Sequence, residues 1–306
     1  MTYSTEFGPN STLVPFLTDG QLPIPGAAEH WFGQVALETR LAAAGEPVPH
    51  GITYRQFCDA YEAVAYANCS GLIMDTRVDV TWSTLGIVDA DAIDKFETEF
   101  LSLLEIKFMR MGVPFIWYRV REVGRVRGLH SHFTLHVPRA NTAVFESFCE
   151  VLLTTATGRK LRKDPNNKTV NIEVGRGDLE SQWARLRYVM KGVSPYAVVP
   201  AANADDGVVP LAAFAELDQT LEGMIVGSRV KVSANLAAAN WAVERHELPD
   251  MLVRDGGPQL YTSRYLDWHR QRCGQGSFRG EFALRNAARL LVPFPDAGAK
   301  GLNMIA

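Results

Sequence analysis

Cysteine is scarce in this sequence, and the few cysteines are not spaced for a structural role. Cys58, Cys69, Cys149 and Cys273 are the only four among 306 residues, and no two of them form a Cys-x-x-Cys pair. The sequence therefore indicates neither a zinc knuckle nor a disulfide framework, and reduced core thiols are the simplest interpretation. No Gly-x-x-x-x-Gly-Lys-Ser/Thr segment occurs either, so we expect no fused helicase motor.

Long apolar runs are also missing. No segment approaches the 18 or more apolar residues that mark a membrane span, and the N-terminal residues lack the basic and apolar regions of a signal peptide. These absences predict a cytoplasmic protein with no membrane partner. Hydrophobic residues make up 47% of the chain and charged residues 21%, which is ordinary for a globular protein that buries a core in one large domain or two modest ones.

An excess of positive charge is lacking overall, since the net charge is −3, yet the charge is unevenly distributed. Residues 1–118 carry 6 Lys/Arg against 15 Asp/Glu, residues 119–191 carry 14 against 7, and residues 192–306 carry 11 against 12. A basic zone confined to one segment is typical of a contact with a phosphate backbone, although a solvated charged face would have the same composition.

That basic zone contains three of the seven histidines, in the segment 128–138. Side chains alternate along a strand, so the apolar residues of this segment occupy one face. The other face carries three histidines and a threonine: His130, His132, Thr134 and His136. The Cβ atoms of His130 and His132 would lie about 6.6 Å apart, close enough to share an ion. We expect His136, about 13 Å further along, to be a bystander or to support the ligands. Two histidines alone are as consistent with a half-buried strand, in which they only form hydrogen bonds, as with a metal site.

Hydrophobic periodicity predicts the elements around the histidine strand. The predicted helices cover residues 53–67, 89–108, 142–153 and 179–193, and the predicted strands 72–83, 113–122, 129–137 and 169–174. Because the link 123–128 is short and bounded by glycine, we expect an antiparallel hairpin that brings Glu122 beside His130. The predicted fold is α/β (α+β), a central, mainly antiparallel sheet with flanking helices.

The predicted organisation has three regions. Residues 1–68 form an irregular to helical N-terminal region, residues 69–198 the central domain, and residues 199–306 a mostly helical C-terminal region. In the last region we expect a helix over 211–221, a strand over 225–232 and a basic helical part further on. A helical wheel of 179–193 places Tyr188 opposite the apolar stripe and beside Arg185 and Lys191, so we expect an exposed tyrosine.

Glu122, the His130-Ser131-His132 triplet and the Tyr188-Val189-Met190-Lys191 sequence together resemble the HUH endonucleases, specifically the rolling-circle replication initiators of bacterial phages and plasmids. The order of elements resembles that family over residues 72–193. The resemblance implies a palm of the ferredoxin or RRM type. One departure is Ser131, because the family usually has a hydrophobic residue between the two histidines. Position 192 is Gly and Tyr196 follows Pro195, so the sequence is similar to single-tyrosine members.

The resemblance also implies a mechanism. Glu122, His130 and His132 would bind a divalent metal, Mg²⁺ or Mn²⁺, that polarises a phosphodiester. Tyr188 would attack it with help from the charge of Lys191, leaving a 5′-phosphotyrosine and a free 3′-OH. The implied partners are single-stranded DNA or an origin hairpin, with a host helicase and polymerase. The expected DNA-binding residues are basic: Arg125, Arg127, Arg159, Lys160, Arg162, Lys163, Arg185 and Arg187.

Three alternatives remain open from the sequence. A relaxase or transposase of the same superfamily would share the site and differ in substrate. A non-catalytic DNA-binding relative would keep the fold without the reaction. The stretch from His132 to Leu135 also fits half of the paired motif of 2H phosphoesterases, but a second copy is needed and the other histidines lack that context: His30, His50, His246 and His269.

Overall fold

The fold is a helix-flanked sheet with a separate small hairpin. The computed structural model describes residues 51–69, 71–124, 127–164, 168–194, 197–200, 208–220, 225 and 228–236. The helices are α1 (Tyr54–Cys69), α2 (Ala90–Arg110), α3 (Thr142–Thr157), α4 (Leu179–Val189) and α5 (Leu211–Phe214). The strands are β1 (Thr76–Thr81), β2 (Trp117–Gly124), β3 (Gly128–Leu135), β4 (Val170–Glu173), β5 (Val198–Pro200), β6 (Val208–Pro210) and β7 (Val230–Val232).

Five of the strands form one antiparallel sheet in the order β4-β1-β3-β2-β7. The histidine strand β3 is therefore central, with β1 on one side and the hairpin partner β2 on the other. Strands β5 and β6 form a separate antiparallel pair. The prediction of a mixed α/β fold with a mainly antiparallel sheet and flanking helices is confirmed.

The two faces of the sheet bury different helices. Val78, Val80 and Phe133 pack in one apolar cluster with side chains of α2 and α3. Tyr118 and Val120 pack in the other cluster with side chains of α1 and α4. Since side chains alternate along a strand, the polar residues of β1, β2 and β3 that share the second face lie under α4. This face carries the candidate site.

Local signals in the sequence explain where two helices begin. The Asp89 carboxylate caps α2 by accepting from the Ala92 amide at 2.8 Å, and the Asp178 carboxylate caps α4 by accepting from the Ser181 amide at 2.7 Å. Such caps satisfy amides that have no partner within the helix. The cap at Asp178 helps fix the start of the helix that carries Tyr188.

Helix α4 ends at Val189, four residues before its predicted end. The backbone of the following turn pairs with Ile52 instead: the Ile52 amide donates to the Gly192 carbonyl at 2.8 Å, and the Ser194 amide donates to the Ile52 carbonyl at 2.9 Å. Gly51 has φ +97°, and a Cβ there would lie 2.6 Å from the Gly192 carbonyl. This tertiary pairing stops the helix and places Lys191 in the turn beyond it.

Other predicted boundaries also differ from the structure. Strand β1 covers Thr76–Thr81 rather than 72–83, because the chain turns into a 3₁₀ helix at Trp82–Leu85 that ends on left-handed Gly86. Helix α5 is one turn long and β7 has three residues, both shorter than predicted. Strand β7 pairs with β2, and α1 packs in the same apolar cluster as Tyr118 and Val120, so elements on both sides of residues 69–198 contact the central sheet.

Several predictions fall on parts of the chain that the structure does not describe. The irregular lead-in of residues 1–50 and the basic helical part after residue 236 lie outside the described residues. Cys58 and Cys149 are free thiols, as predicted, and Cys149 is buried. Within the described ranges, no helix is long and apolar enough to cross a membrane.

Candidate metal centre

The β2–β3 hairpin places a carboxylate opposite a histidine. In its antiparallel register Glu122 pairs with His130, and Gly124 pairs with Gly128 at the turn end. Gly128 has φ +67°, a conformation that favours glycine. The predicted juxtaposition of Glu122 and His130 is confirmed. His132 lies two residues further along β3, on the same face of the strand.

Glu122, His130 and His132 form a buried group whose ligand atoms all lie within 4.8 Å of one another. Glu122 Oε2 is 3.0 Å from His132 Nε2 and 3.4 Å from His130 Nε2. Two imidazoles and one carboxylate are a donor set that binds divalent ions and leaves coordination positions open. These three residues could therefore hold a metal ion.

Hydrogen bonds on the outer side of each ring orient the two histidines. His132 Nδ1 donates to Asp79 Oδ1 at 2.6 Å, and His130 Nδ1 donates to the Gly128 carbonyl at 3.0 Å. A ring whose Nδ1 carries a bonded proton presents its Nε2 lone pair on the opposite side. Both Nε2 atoms therefore face Glu122, the arrangement that metal-binding histidines need.

Asp79 contacts the candidate metal centre and was not predicted from the sequence. It lies on β1, directly opposite His132 in the sheet register. The signal was available in the alternation of β1, where Arg77, Asp79 and Thr81 are separated by two valines. The missing information was that β1 pairs with β3.

The pKa values of Glu122 and His132 are shifted by the hydrogen bonds within and around the triad. Burial alone would lower the pKa of His132, but hydrogen bonds to Asp79 and Glu122 outweigh it and raise that pKa to about 9. Burial would raise the pKa of Glu122, yet hydrogen bonds from His130 and His132 hold it well below its usual range. A metal ion bound here would take the place of the proton on His132 Nε2.

Tyr188 and Lys191 lie against this group, as the helical wheel predicted for their shared face. The ring centroids of Tyr188 and His132 are 6.2 Å apart with an interplanar angle of 76°. Lys191 Nζ lies 4.5 Å from the Tyr188 ring centroid and 2.9 Å from Glu122 Oε2. Tyr188 is 48% exposed, so a ligand in solvent can reach it while its ring edge contacts the buried triad.

A second cation, Arg77, was not predicted. Its Cζ lies 4.6 Å from the Tyr188 ring centroid, although the arginine itself is buried. Its guanidinium pairs with Asp79 at 3.0 Å and with Glu173 at 2.8 Å. Arg77 therefore links the tyrosine to the aspartate that orients His132.

The expected DNA-binding residues are not gathered at the metal centre. Arg125 lies outside the described residues. Arg185 pairs with Glu173 at 3.2 Å, and Arg187 donates to the Glu216 carbonyl at 3.0 Å. The remaining predicted residues are exposed on the surface: Arg127, Arg159, Lys160, Arg162 and Lys163.

The sequence analysis also considered His136 and Tyr196. His136 Nδ1 donates to the Ile73 carbonyl at 2.8 Å and does not belong to the metal-binding group, in agreement with its expected bystander role. Tyr196 lies outside the described residues.

Comparisons with known proteins give no family assignment. No protein-family model, no curated protein and no solved structure significantly matches this chain.

Proposed function

We propose that this protein nicks and joins single-stranded DNA with Tyr188 as the nucleophile, in the manner of the HUH rolling-circle initiators it resembles. The observation that carries the proposal is the contact of Tyr188 with the Glu122, His130 and His132 triad, with Lys191 bridging the two. The order of strands and helices also resembles the palm of that family.

The metal that best suits the proposed reaction is Mg²⁺ or Mn²⁺, held by Glu122, His130 and His132. When bound, it would polarise the phosphodiester and offset charge on its oxygens. Asp79 and the Gly128 carbonyl keep both histidines in the ligating orientation through their Nδ1 protons. The buried position of all three ligands limits competition from water.

In the proposed reaction the Tyr188 hydroxyl oxygen attacks phosphorus, and the bond from phosphorus to the 3′-oxygen breaks. The 3′-oxygen leaves with a proton as a free 3′-OH, and the downstream strand stays attached through a 5′-phosphotyrosine. Lys191, 4.5 Å from the ring centroid, supplies positive charge beside the forming bond. Reversal of the same steps joins strands without ATP.

The basic segment 159–163 is the proposed route for the phosphate backbone. Backbone hydrogen bonds link it to the metal centre: Arg162 accepts from Thr169, which precedes β4, Thr169 accepts from Thr81 at the end of β1, and Thr81 pairs with His130 on β3. Chain segments paired in this way lie about 4.8 Å apart, so the backbone of Arg162 is within about 15 Å of that of His130. Such a span corresponds to a few nucleotides of single-stranded DNA. In a cytoplasmic replication cycle of a phage or plasmid, a host helicase and polymerase would complete the reaction.

A covalent adduct tests the proposal directly. The probe is a set of single-stranded oligonucleotides that tile the element encoding this protein, incubated with Mn²⁺ or Mg²⁺ and labelled at the 3′ end. The label should migrate with the protein in denaturing gels, whereas a 5′ label should appear in a shortened free strand. Tyr188→Phe should abolish the adduct.

Tyr54→Phe is the matched control, because this tyrosine packs against the core at the start of α1, is not part of the metal-binding group and lies far from the triad in sequence. It should form the adduct at the wild-type rate. Absence of any adduct across the whole set, or an adduct that survives in Tyr188→Phe, would contradict the proposed function.

A further inference from the structure

Charged side chains of alternating sign, Glu173 on the edge strand β4, Arg77 on β1 and Asp79, form a network beside the Tyr188 ring. Arg77 is at the centre of this network. We infer that Arg77 is a positioning residue that holds the Tyr188 ring against the metal centre. The effect on strand cleavage rests on the proposed function, but the effect on the ring does not.

Arg77 is held rigidly. It is 8% exposed, its Nε lies 3.0 Å from Asp79 Oδ1, and its Nη2 lies 2.8 Å from Glu173 Oε1. A buried planar guanidinium that is hydrogen-bonded to one carboxylate, Glu173, and ion-paired with a second, Asp79, has little freedom to turn. It therefore offers Tyr188 a fixed surface at 4.6 Å, within the range of a cation–π contact.

Glu173 connects this surface to the helix that carries the tyrosine. Its Oε1 accepts from Arg77 on β1, and its Oε2 accepts from Arg185 Nη1 at 3.2 Å. Arg185 precedes Tyr188 by three residues, so the two side chains lie on one side of α4. The Glu173 carboxylate on β4 thus bonds both Arg77, which contacts the Tyr188 ring, and Arg185 on α4, the helix that carries Tyr188.

The contact matters because Tyr188 is partly in solvent. The residue is 48% exposed, and its described ring contacts are those with His132, Arg77 and Lys191. Lys191 follows the end of α4 and has a long flexible stem, whereas Arg77 is anchored in the sheet. Without Arg77 we expect the ring to sample positions turned toward solvent.

Fluorine NMR of protein labelled with 3-fluorotyrosine tests the ring directly. The Tyr188 resonance is assigned as the one that disappears in Tyr188→Phe. In Arg77→Met, which retains the apolar stem, that resonance should shift and broaden. Arg77→Lys should restore it in part, because a lysine keeps the cation but cannot bond both carboxylates while it stacks. Glu173→Gln, which removes one anchor and keeps the shape, should give an intermediate shift.

Two further measurements separate positioning from metal binding. The Kd for Mn²⁺, measured by calorimetry, should stay within about twofold of wild type in Arg77→Met, while the rate of adduct formation should fall on the order of 100-fold, as expected for a displaced nucleophile. Arg176→Met is the control: Arg176 pairs with Asp178 and Glu180 at the surface, and its loss should change neither the resonance nor the rate.

Each result decides the inference. An unchanged Tyr188 resonance in Arg77→Met overturns it, as does a loss of Mn²⁺ affinity as large as the loss of rate, since Arg77 would then act through Asp79 on the metal. If wild-type protein forms no adduct with any strand, the proposed function fails, and the fluorine resonances still show whether Arg77 positions the ring.

Discussion

At the scale of single residues, the metal centre depends on groups that do not touch the metal position. His130 and His132 are brought together by strand alternation, but their Nδ1 atoms are fixed by the Gly128 carbonyl and the Asp79 carboxylate. Alternation alone would leave two rings free to rotate. The outer hydrogen bonds orient the two neighbouring histidines so that they could bind one metal ion.

Asp79→Asn should therefore weaken metal binding without removing a ligand. The amide is the same size as the carboxylate, but it is neutral and can present its NH₂ group to His132 Nδ1, so the ligating tautomer is no longer enforced. Loss of such an outer partner typically costs about 10- to 100-fold in metal affinity. Calorimetric titration with Mn²⁺ measures the change and requires no DNA.

The matched control for this prediction is Asp89→Asn. Asp89 caps α2 at the protein surface, and asparagine caps helices about as well as aspartate. Its Kd for Mn²⁺ should equal that of wild type. An Asp79→Asn protein that binds Mn²⁺ as tightly as the control would show that Asp79 does not support His132.

The grouping of Glu122, His130 and His132 could be predicted from sequence because it depends on local rules. Period-two alternation places His130 and His132 on one face, and a six-residue link places Glu122 beside them. Asp79 and Arg77 could not be placed in the same way, since they reach the site only because β1 inserts between β4 and β3 in the sheet. Strand order is a non-local property, and alternation carries no information about it.

At the scale of elements, the opposite face of the sheet explains why a serine lies between the two histidines. Ser131 is fully buried, accepts from Trp82 Nε1 at 2.8 Å and donates to Glu97 Oε1 at 2.5 Å. Glu97 on α2 also pairs with Arg119 and Arg121, both buried on β2. A hydrophobic residue would fit an apolar face, but here the strand meets a polar cluster.

In this cluster Glu97 bonds α2 to strand β2 of the sheet. Its two carboxylate oxygens bond Arg119 Nη1 at 2.7 Å, Arg121 Nη2 at 2.7 Å and Arg121 Nε at 3.1 Å. Burial lowers the pKa of Arg119 to about 10 even though Glu97 opposes the shift. Two buried guanidinium groups thus rely on one carboxylate, with half-buried Asp94 as a further partner of Arg121.

Glu97→Gln should consequently destabilise the fold more than most single substitutions. It leaves two buried cations without their shared counter-charge, and breaking a buried ion pair in this way costs about 3–5 kcal/mol. Urea unfolding followed by far-UV circular dichroism measures the free energy of unfolding. Glu99→Gln, on the exposed side of the same helix, is the control and should change that free energy by no more than about 0.5 kcal/mol. Equal stability of the two variants would contradict this role of Glu97.

The end of α4 illustrates why element boundaries are harder to predict than elements. The apolar stripe of residues 179–193 continues into Val193, which is buried, so periodicity extends the helix that far. The backbone of Gly192 and Ser194 instead bonds to Ile52, more than 100 residues away in sequence. The prediction that Lys191 lies near Tyr188 is nevertheless confirmed, because the turn keeps it on the same side.

At the scale of the whole molecule, the distribution of charge matters more than its total. The net charge of −3 would repel nucleic acid at long range, while residues 119–191 carry 14 basic against 7 acidic residues. Part of this charge is neutralised internally, since Arg119 and Arg121 pair with Glu97 and Arg185 pairs with Glu173. The exposed segment 159–163 is a part of this zone that faces solvent.

Salt dependence of binding to single-stranded DNA tests whether this segment contacts the phosphate backbone. Each phosphate contact with a single strand contributes about 0.7 to the slope of log K against log salt concentration, through release of bound counterions. Combined replacement of Lys160, Arg162 and Lys163 by glutamine should lower the magnitude of the slope by about 2 if all three make contacts. Fluorescence anisotropy with a labelled oligothymidine measures the slope, and no cleavage is required.

The control replaces three exposed cations outside the basic zone, Arg55, Lys95 and Arg110, by glutamine. Both triple variants change the net charge of the protein by the same amount, so a long-range effect of net charge would alter their binding equally. A contact at the segment would instead lower the slope only in the first variant. Lys163 Nζ lies 2.8 Å from Glu150 Oε2, so Lys163 should contribute less to the slope than Lys160 or Arg162. Among single replacements, that of Lys163 should therefore lower the slope least. Equal slopes in the two triple variants would place the DNA elsewhere on the protein.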